Sequence, residues 1–167
     1  MKKLITSLLV ALLAVSICAA VAEENEPGEL LFNGMPVLGF MDLPYDDVID
    51  ILGEPIDLSE VAWFGVFAEY ADMTLFFPNE TNELANFIAR NPGAFAIDEV
   101  SMAKTREELI GIFGEPIYEG EYEPYEGHIM IFEIGDYCFW FTLLNEGGRV
   151  ISFEIWDTTN EHAGYGV

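Results

Sequence analysis

Two histidines, His128 and His162, and one cysteine beyond the N-terminal apolar run, Cys138, are the residues from which this chain could build a nucleophile, a proton shuttle or a soft metal site. None has the spacing that such chemistry needs. A zinc site wants ligands a few residues apart, as in HxxxH or CxxC, and neither pattern occurs. No serine sits in a Gly-x-Ser-x-Gly turn, and no glycine-rich loop is built to cradle a phosphate. His162 lies in the tail "NEHAGYGV", which reads as frayed, and His128 opens a strand. Cys138 stands inside the strand-like run "DYCFWF" and reads as a small packing residue, able to form only an intermolecular disulfide. With 30 carboxylates, some pair falls at glycosidase separation by chance, so carboxylate pairs point nowhere. The expectation is a non-enzymatic protein with no catalytic residue, no metal and no cofactor; a weak hydrolase is the last of three readings.

The carboxylates do offer hard oxygen ligands for calcium, in "EENEPGE", "DLPYDD", "PNETNE" and "EGEYEPYEGH". None follows the EF-hand order, and a solvated acidic loop is their plainer meaning. The last stretch also carries Tyr122 and Tyr125 among its acids, a composition suited to touching a basic partner protein.

Charge narrows the partners. The chain has 30 Asp and Glu against 6 Lys and Arg, a net charge of −24. Nucleic acid is excluded, because no basic patch can displace counterions. Anionic membrane surfaces are repelled, and cationic partners are attracted. Disordered acidic tails share this charge but not the composition: 51% hydrophobic and 14% aromatic residues supply a real core.

The first residues are expected to leave. Lys2 and Lys3 form a positive start, Leu4 to Ala20 an apolar run, and Ala20-Val21-Ala22 a small-x-small cleavage site. Cleavage there leaves 30 acids against Arg90, Lys104, Arg106 and Arg149, a net charge of −26. A secreted or cell-surface location follows, with no tight membrane binding after cleavage.

One phrase occurs twice. "LGEPI" ends at Ile56 and "FGEPI" at Ile117, 61 residues apart, and the sixteen residues ending at each align without a gap. Val48, Ile49, Ile51 and Leu52 fall on Leu109, Ile110, Ile112 and Phe113, which is helical spacing. Asp46 and Asp47, like Glu107 and Glu108, favour a helix start; Thr105 with Glu108 reads as a capping box. Gly53 and Gly114 end the helices, with Pro55 and Pro116 as stops. After each helix a variable loop leads into three strand-like runs.

The expected fold is therefore α+β: two tandem repeats, each a short helix and a three-stranded antiparallel meander, sharing one larger sheet with helices on one face. The expected organisation is a signal peptide at 1–22, an extended segment at 23–37, repeat one at 38–92, repeat two at 93–157 and a flexible tail at 158–167. Strand alternation sorts two faces. Met73, Leu75 and Phe77, Tyr137, Phe139 and Phe141, and Ile151, Phe153 and Ile155 should pack beneath the helices. Thr74, Phe76, Asn86, Cys138, Trp140, Ser152, Glu154 and Trp156 should face away, on an open aromatic surface.

"TREELIGIFGEP" and "PYDDVIDILGEP" carry a further implication. They resemble the superfamily that joins the β-lactamase inhibitory proteins to the small outer-membrane assembly lipoproteins of the SmpA/OmlA type. That resemblance spans nearly all of Phe40–Trp156 and implies a sheet that grips another protein. It departs in the loops, where inhibitor-type proteins usually hold disulfides. The expected function is a secreted bacterial protein-binding module, with Phe76, Trp140, Trp156, Glu154, Tyr122 and Tyr125 as its contacts. A structural or assembly role in the cell envelope is the alternative.

Overall fold

The computed structural model describes residues 30–32, 34–97, 100–101, 104–122 and 127–160. Among these are two helices, α1 (Tyr45–Leu52) and α2 (Arg106–Phe113). Twelve strands accompany them. The first eight are β1 (Leu30–Phe32), β2 (Met35–Pro36), β3 (Asp57–Val61), β4 (Gly65–Glu69), β5 (Met73–Pro78), β6 (Asn86–Ala89), β7 (Phe95–Ile97) and β8 (Val100–Ser101). The last four are β9 (Tyr118–Tyr122), β10 (Gly127–Ile134), β11 (Tyr137–Leu143) and β12 (Val150–Asp157).

The expected α+β layout of two helix-plus-three-stranded-meander repeats does not describe this molecule, which is mostly β. Eight strands make one sheet in the order β3-β4-β5-β6-β12-β11-β10-β9, and β2-β1-β7-β8 make a second. Both sheets are antiparallel throughout. The missed strands have a physical signature. "DLSEV" of β3 is exposed along most of its length, and β9 reads "YEGEY". Both lie at the ends of the large sheet, where a strand needs no apolar side, so neither shows the alternation that betrays a strand in a sequence. The loop expected after each helix is thus largely strand. The second sheet joins the stretches before the two helices, through β1 against β7.

The helices form for the reasons their sequences suggest. Thr105 Oγ1 accepts from Glu108 N while Glu108 Oε2 accepts from Thr105 N, the capping box. Pro44 starts α1 without any side-chain cap. Gly53 and Gly114 stand at φ +82° and +81° with extended ψ, a region open only to glycine, and their N–H groups bond to Ile49 O and Ile110 O. Val48 and Leu109 are fully buried, and Ile51 is exposed.

The core lies on one side of the large sheet. Tyr45 of α1 meets Phe77 of β5 edge-on at 5.1 Å. Phe113 of α2 lies 5.2 Å from Phe132, 5.8 Å from Phe139 and 5.4 Å from Phe141. Between them Phe95 of β7 stands edge-on to Phe87, at 5.4 Å, and to Phe153, at 4.4 Å. The second sheet thus covers the junction of β6 and β12. The alternation of β12 is correct for Phe153 and Ile155 but not for Ile151. The register shifts at Thr142/Leu143, so Val150 opposes Leu143 and enters the core while Ile151 is left exposed. A bulge of this kind reverses the faces on either side of it.

Candidate functional site

The other face of the large sheet carries two rows of side chains set by the register. In the first, Phe67 opposes Phe76, Phe76 opposes Asn86, Asn86 opposes Trp156, and Trp156 opposes Cys138. In the second, Thr74 opposes Ile88, Ile88 opposes Glu154, Glu154 opposes Trp140, and Trp140 opposes Ile131. Cross-strand neighbours stand within about 5.5 Å at Cβ, so each row is a continuous strip of contacts.

One end of the face is closed by the turn between β3 and β4. Phe64 N donates to Val61 O at 2.8 Å, and the Phe64 ring lies 4.5 Å from Phe76, which also stacks at 4.6 Å on Phe67. Gly65 makes this possible, since a side chain there would collide with Phe77 O and with the Phe76 ring. Phe76 is left 2% exposed. It forms a floor, and this corrects its expected place on an open surface.

The middle of the face is polar and short of partners. Asn86 is 1% exposed, and neither its Nδ2 nor its Oδ1 makes a hydrogen bond; Thr74, 3% exposed, has an unpaired Oγ1. Glu154 is half-buried. Trp156 Nε1 donates to Glu154 Oε2 at 3.1 Å. Burial pushes the Glu154 carboxyl above the usual range, against the pull of that Trp156 bond and of the nearby Asn86 amide, which stops short of hydrogen-bond geometry. Trp140 and Trp156 are half-buried and pack beside Ile129, Ile131 and Cys138.

Of the expected contacts, Phe76, Trp140, Trp156 and Glu154 therefore share one face. Tyr122 closes β9 opposite Gly127, away from those two rows, and Tyr125 lies outside the described residues.

A second cluster, which sequence reasoning missed, joins Arg106, Glu119 and His128. Arg106 Nε donates to Glu119 Oε1 at 2.6 Å and Arg106 Nη2 donates to Oε2 at 2.8 Å, a bidentate pair. His128 Nε2 lies 2.8 Å from Glu119 Oε1, and the residue is buried, 8% exposed. The guanidinium, and then the imidazole, hold the Glu119 carboxyl down at about 2. Both carboxylate oxygens are occupied and no nucleophile adjoins, so the cluster fastens the start of α2 to β9 and β10.

A third group is acidic. Tyr137 Oη donates to Asp42 Oδ2 at 3.1 Å, and Asp157, buried, accepts from Thr159 N at 2.8 Å and from Thr159 Oγ1 at 2.7 Å. Burial, with Asp157 and Asp136 near, raises Asp42, and burial beside Asp42 pushes Tyr137 up to about 12. Among the described residues no group of three or more His, Cys, Asp or Glu is arranged to hold a metal ion. "EENEPGE" of the calcium-suited stretches lies outside them. No helix of the described residues is long and apolar enough to cross a membrane.

No family model matches this chain. No curated protein matches it. Solved structures do resemble it. An extracellular protein containing an SCP domain, from Bacillus anthracis str. Ames, superimposes with a TM-score of 0.56 at 9% identity, over 72% of this chain and 45% of that one. A DUF4309 family protein from Bacillus subtilis subsp. subtilis str. 168 gives 0.50 at 13% identity, over 68% of this chain and 78% of that one. A cysteine-rich secretory protein from Staphylococcus aureus subsp. aureus Mu50 gives 0.53 at 6% identity, over 74% of this chain and 46% of that one. This chain thus spans less than half the length of two of the three. At these identities the likeness is one of fold.

Proposed function

We propose that this chain is an exported, non-enzymatic protein-binding module, whose contact surface is the sheet face holding Trp140, Trp156 and Glu154. The observation that carries this reading is the grouping of two half-buried tryptophans with a half-buried carboxylate and an unpaired buried amide. Large aromatic side chains among small polar ones dominate the energetics of protein interfaces. An unpaired buried amide is costly unless something arrives to satisfy it. Export is supported by the positive start, apolar run and small-x-small site of the first 22 residues, and by the extracellular description of the Bacillus anthracis neighbour. The stretches "TREELIGIFGEP" and "PYDDVIDILGEP", by their resemblance to inhibitor-type proteins, support an inhibitor-like manner of binding.

The test is a capture experiment from culture medium and cell surface, with the chain as bait. A double variant, Trp140→Ala with Trp156→Ala, is the control. One partner held by the wild type should be lost by the variant, and Trp140→Ala alone should weaken it by about 2 kcal/mol, roughly thirtyfold. A partner held equally by both baits would move the contact away from this face. Co-fractionation with wall or membrane and no soluble partner would favour the envelope role instead.

A further inference from the structure

We infer that the face centred on the β6–β12 junction recognises an ammonium group, a lysine side chain of the partner, with the Glu154 carboxylate as its counter-ion, Trp140 and Trp156 as its walls and the Asn86 amide as a further acceptor. The inference rests on the binding reading above and names the chemistry of the partner at that same face.

The placement of Glu154 is the first argument. It stands directly across from Trp140, two residues from Trp156 on its own strand, and across from Ile88 on the other side. A half-buried carboxylate between two indoles and an aliphatic side chain is poorly solvated. The three ion pairs among the described residues join Arg90 to Glu69, Arg106 to Glu119 and His128 to Glu119, so none reaches Glu154. The site has its negative charge and lacks its positive one. Tryptophan is also the best aromatic partner for a cation at its ring face.

The choice of ammonium over guanidinium follows from the hydrogen bonds. Glu154 Oε2 already accepts from Trp156 Nε1 at 3.1 Å, so a forked, bidentate arginine contact would have to share that oxygen, whereas an ammonium needs only the other one. An ammonium is a point charge that bonds to one oxygen at a time. Asn86 Oδ1, unpaired and diagonal to Glu154 across the β6–β12 pair, accepts a second of its three protons. The charge of the whole chain, −24, draws such a cation in and holds basic surfaces near.

The test uses the full chain and the intrinsic fluorescence of its tryptophans. The probe is Nα-acetyl-lysine methylamide, compared with its Nε-acetylated, uncharged form and with a neutral chito-oligosaccharide. The lysine probe should give a saturable change by about 10 mM. The uncharged form should give none, and Glu154→Gln should weaken the response by about tenfold or more. Thermal melts check that this variant folds, and Asn86→Leu supplies a second variant that should also weaken the probe. No response to the lysine probe, an equal response in Glu154→Gln, or an oligosaccharide binding in its place would overturn the inference. The two readings separate in the capture experiment. A partner lost by Trp140→Ala but kept by Glu154→Gln leaves the binding face standing and removes the ammonium; a partner kept by both variants removes both.

Discussion

Asn86 works against the stability of the chain that holds it. At 1% exposure both ends of its amide go without a hydrogen bond, and each such group costs on the order of 1–3 kcal/mol. Asn86→Leu, of nearly the same shape, should therefore raise the melting temperature by about 3 °C while weakening partner capture. A melting temperature that falls would mean the amide is satisfied in solution. Glu119 acts in the opposite sense. Its carboxyl is lowered from 4.5 to about 2 by Arg106 and His128, so its contribution is complete above its ordinary value and is lost as the pH falls through about 2. Glu119→Gln should flatten the acid limb of stability between those values, read by denaturant melts across that range, and should change the slope little above pH 5. Neither residue was legible beforehand. Asn86 stood among the outward-facing positions, but its lack of partners depends on Phe76 and Trp156 beside it from two other strands. Arg106, Glu119 and His128 are brought together by α2, β9 and β10 and have no spacing that a sequence could announce.

Among the elements, the ones that sequence reasoning found are those whose signals are local. The capping box at Thr105 and Glu108, the glycine ends at Gly53 and Gly114, and the alternation along β5 and β11 each depend on a few neighbouring residues. The elements it missed take their shape from distant ones. The edge strands β3 and β9 are strands because β4 and β10 offer them a ladder, and the bulge at Thr142/Leu143 exchanges Val150 for Ile151 without any glycine or proline to mark it. The pairing of the extended stretches before the two helices into a small sheet is the largest such omission, since β1 and β7 lie more than sixty residues apart in the chain. Its weight rests on Phe95, 1% exposed between Phe87 and Phe153. Phe95→Ala should cost about 3–4 kcal/mol, measured by urea unfolding. A loss below about 1 kcal/mol would mean that the large sheet does not need this cover.

At the scale of the whole molecule, a charge of −24 repels itself, and the folded state gathers that charge into a smaller volume than the unfolded chain does. Raising sodium chloride from about 10 mM to about 0.5 M, which shortens the screening length from roughly 30 Å to a few ångströms, should lift the melting temperature by several degrees. The same salt should weaken partner capture if the partner is basic, which separates the two effects of one variable. The order of the large sheet has a further consequence, in time. β3 to β6 and β9 to β12 can each zip up along the chain, hairpin by hairpin, but β6 meets β12 only by joining Phe153 to Ala89 and Trp156 to Asn86, contacts 64 and 70 residues apart. Closing so long a loop is slow, because its entropy is lost before any contact repays it. Asn86 and Glu154 stand diagonally across that last joint, so a half-zipped chain has strands and hairpins but does not bring the two together, and competence to bind arrives only with that joint.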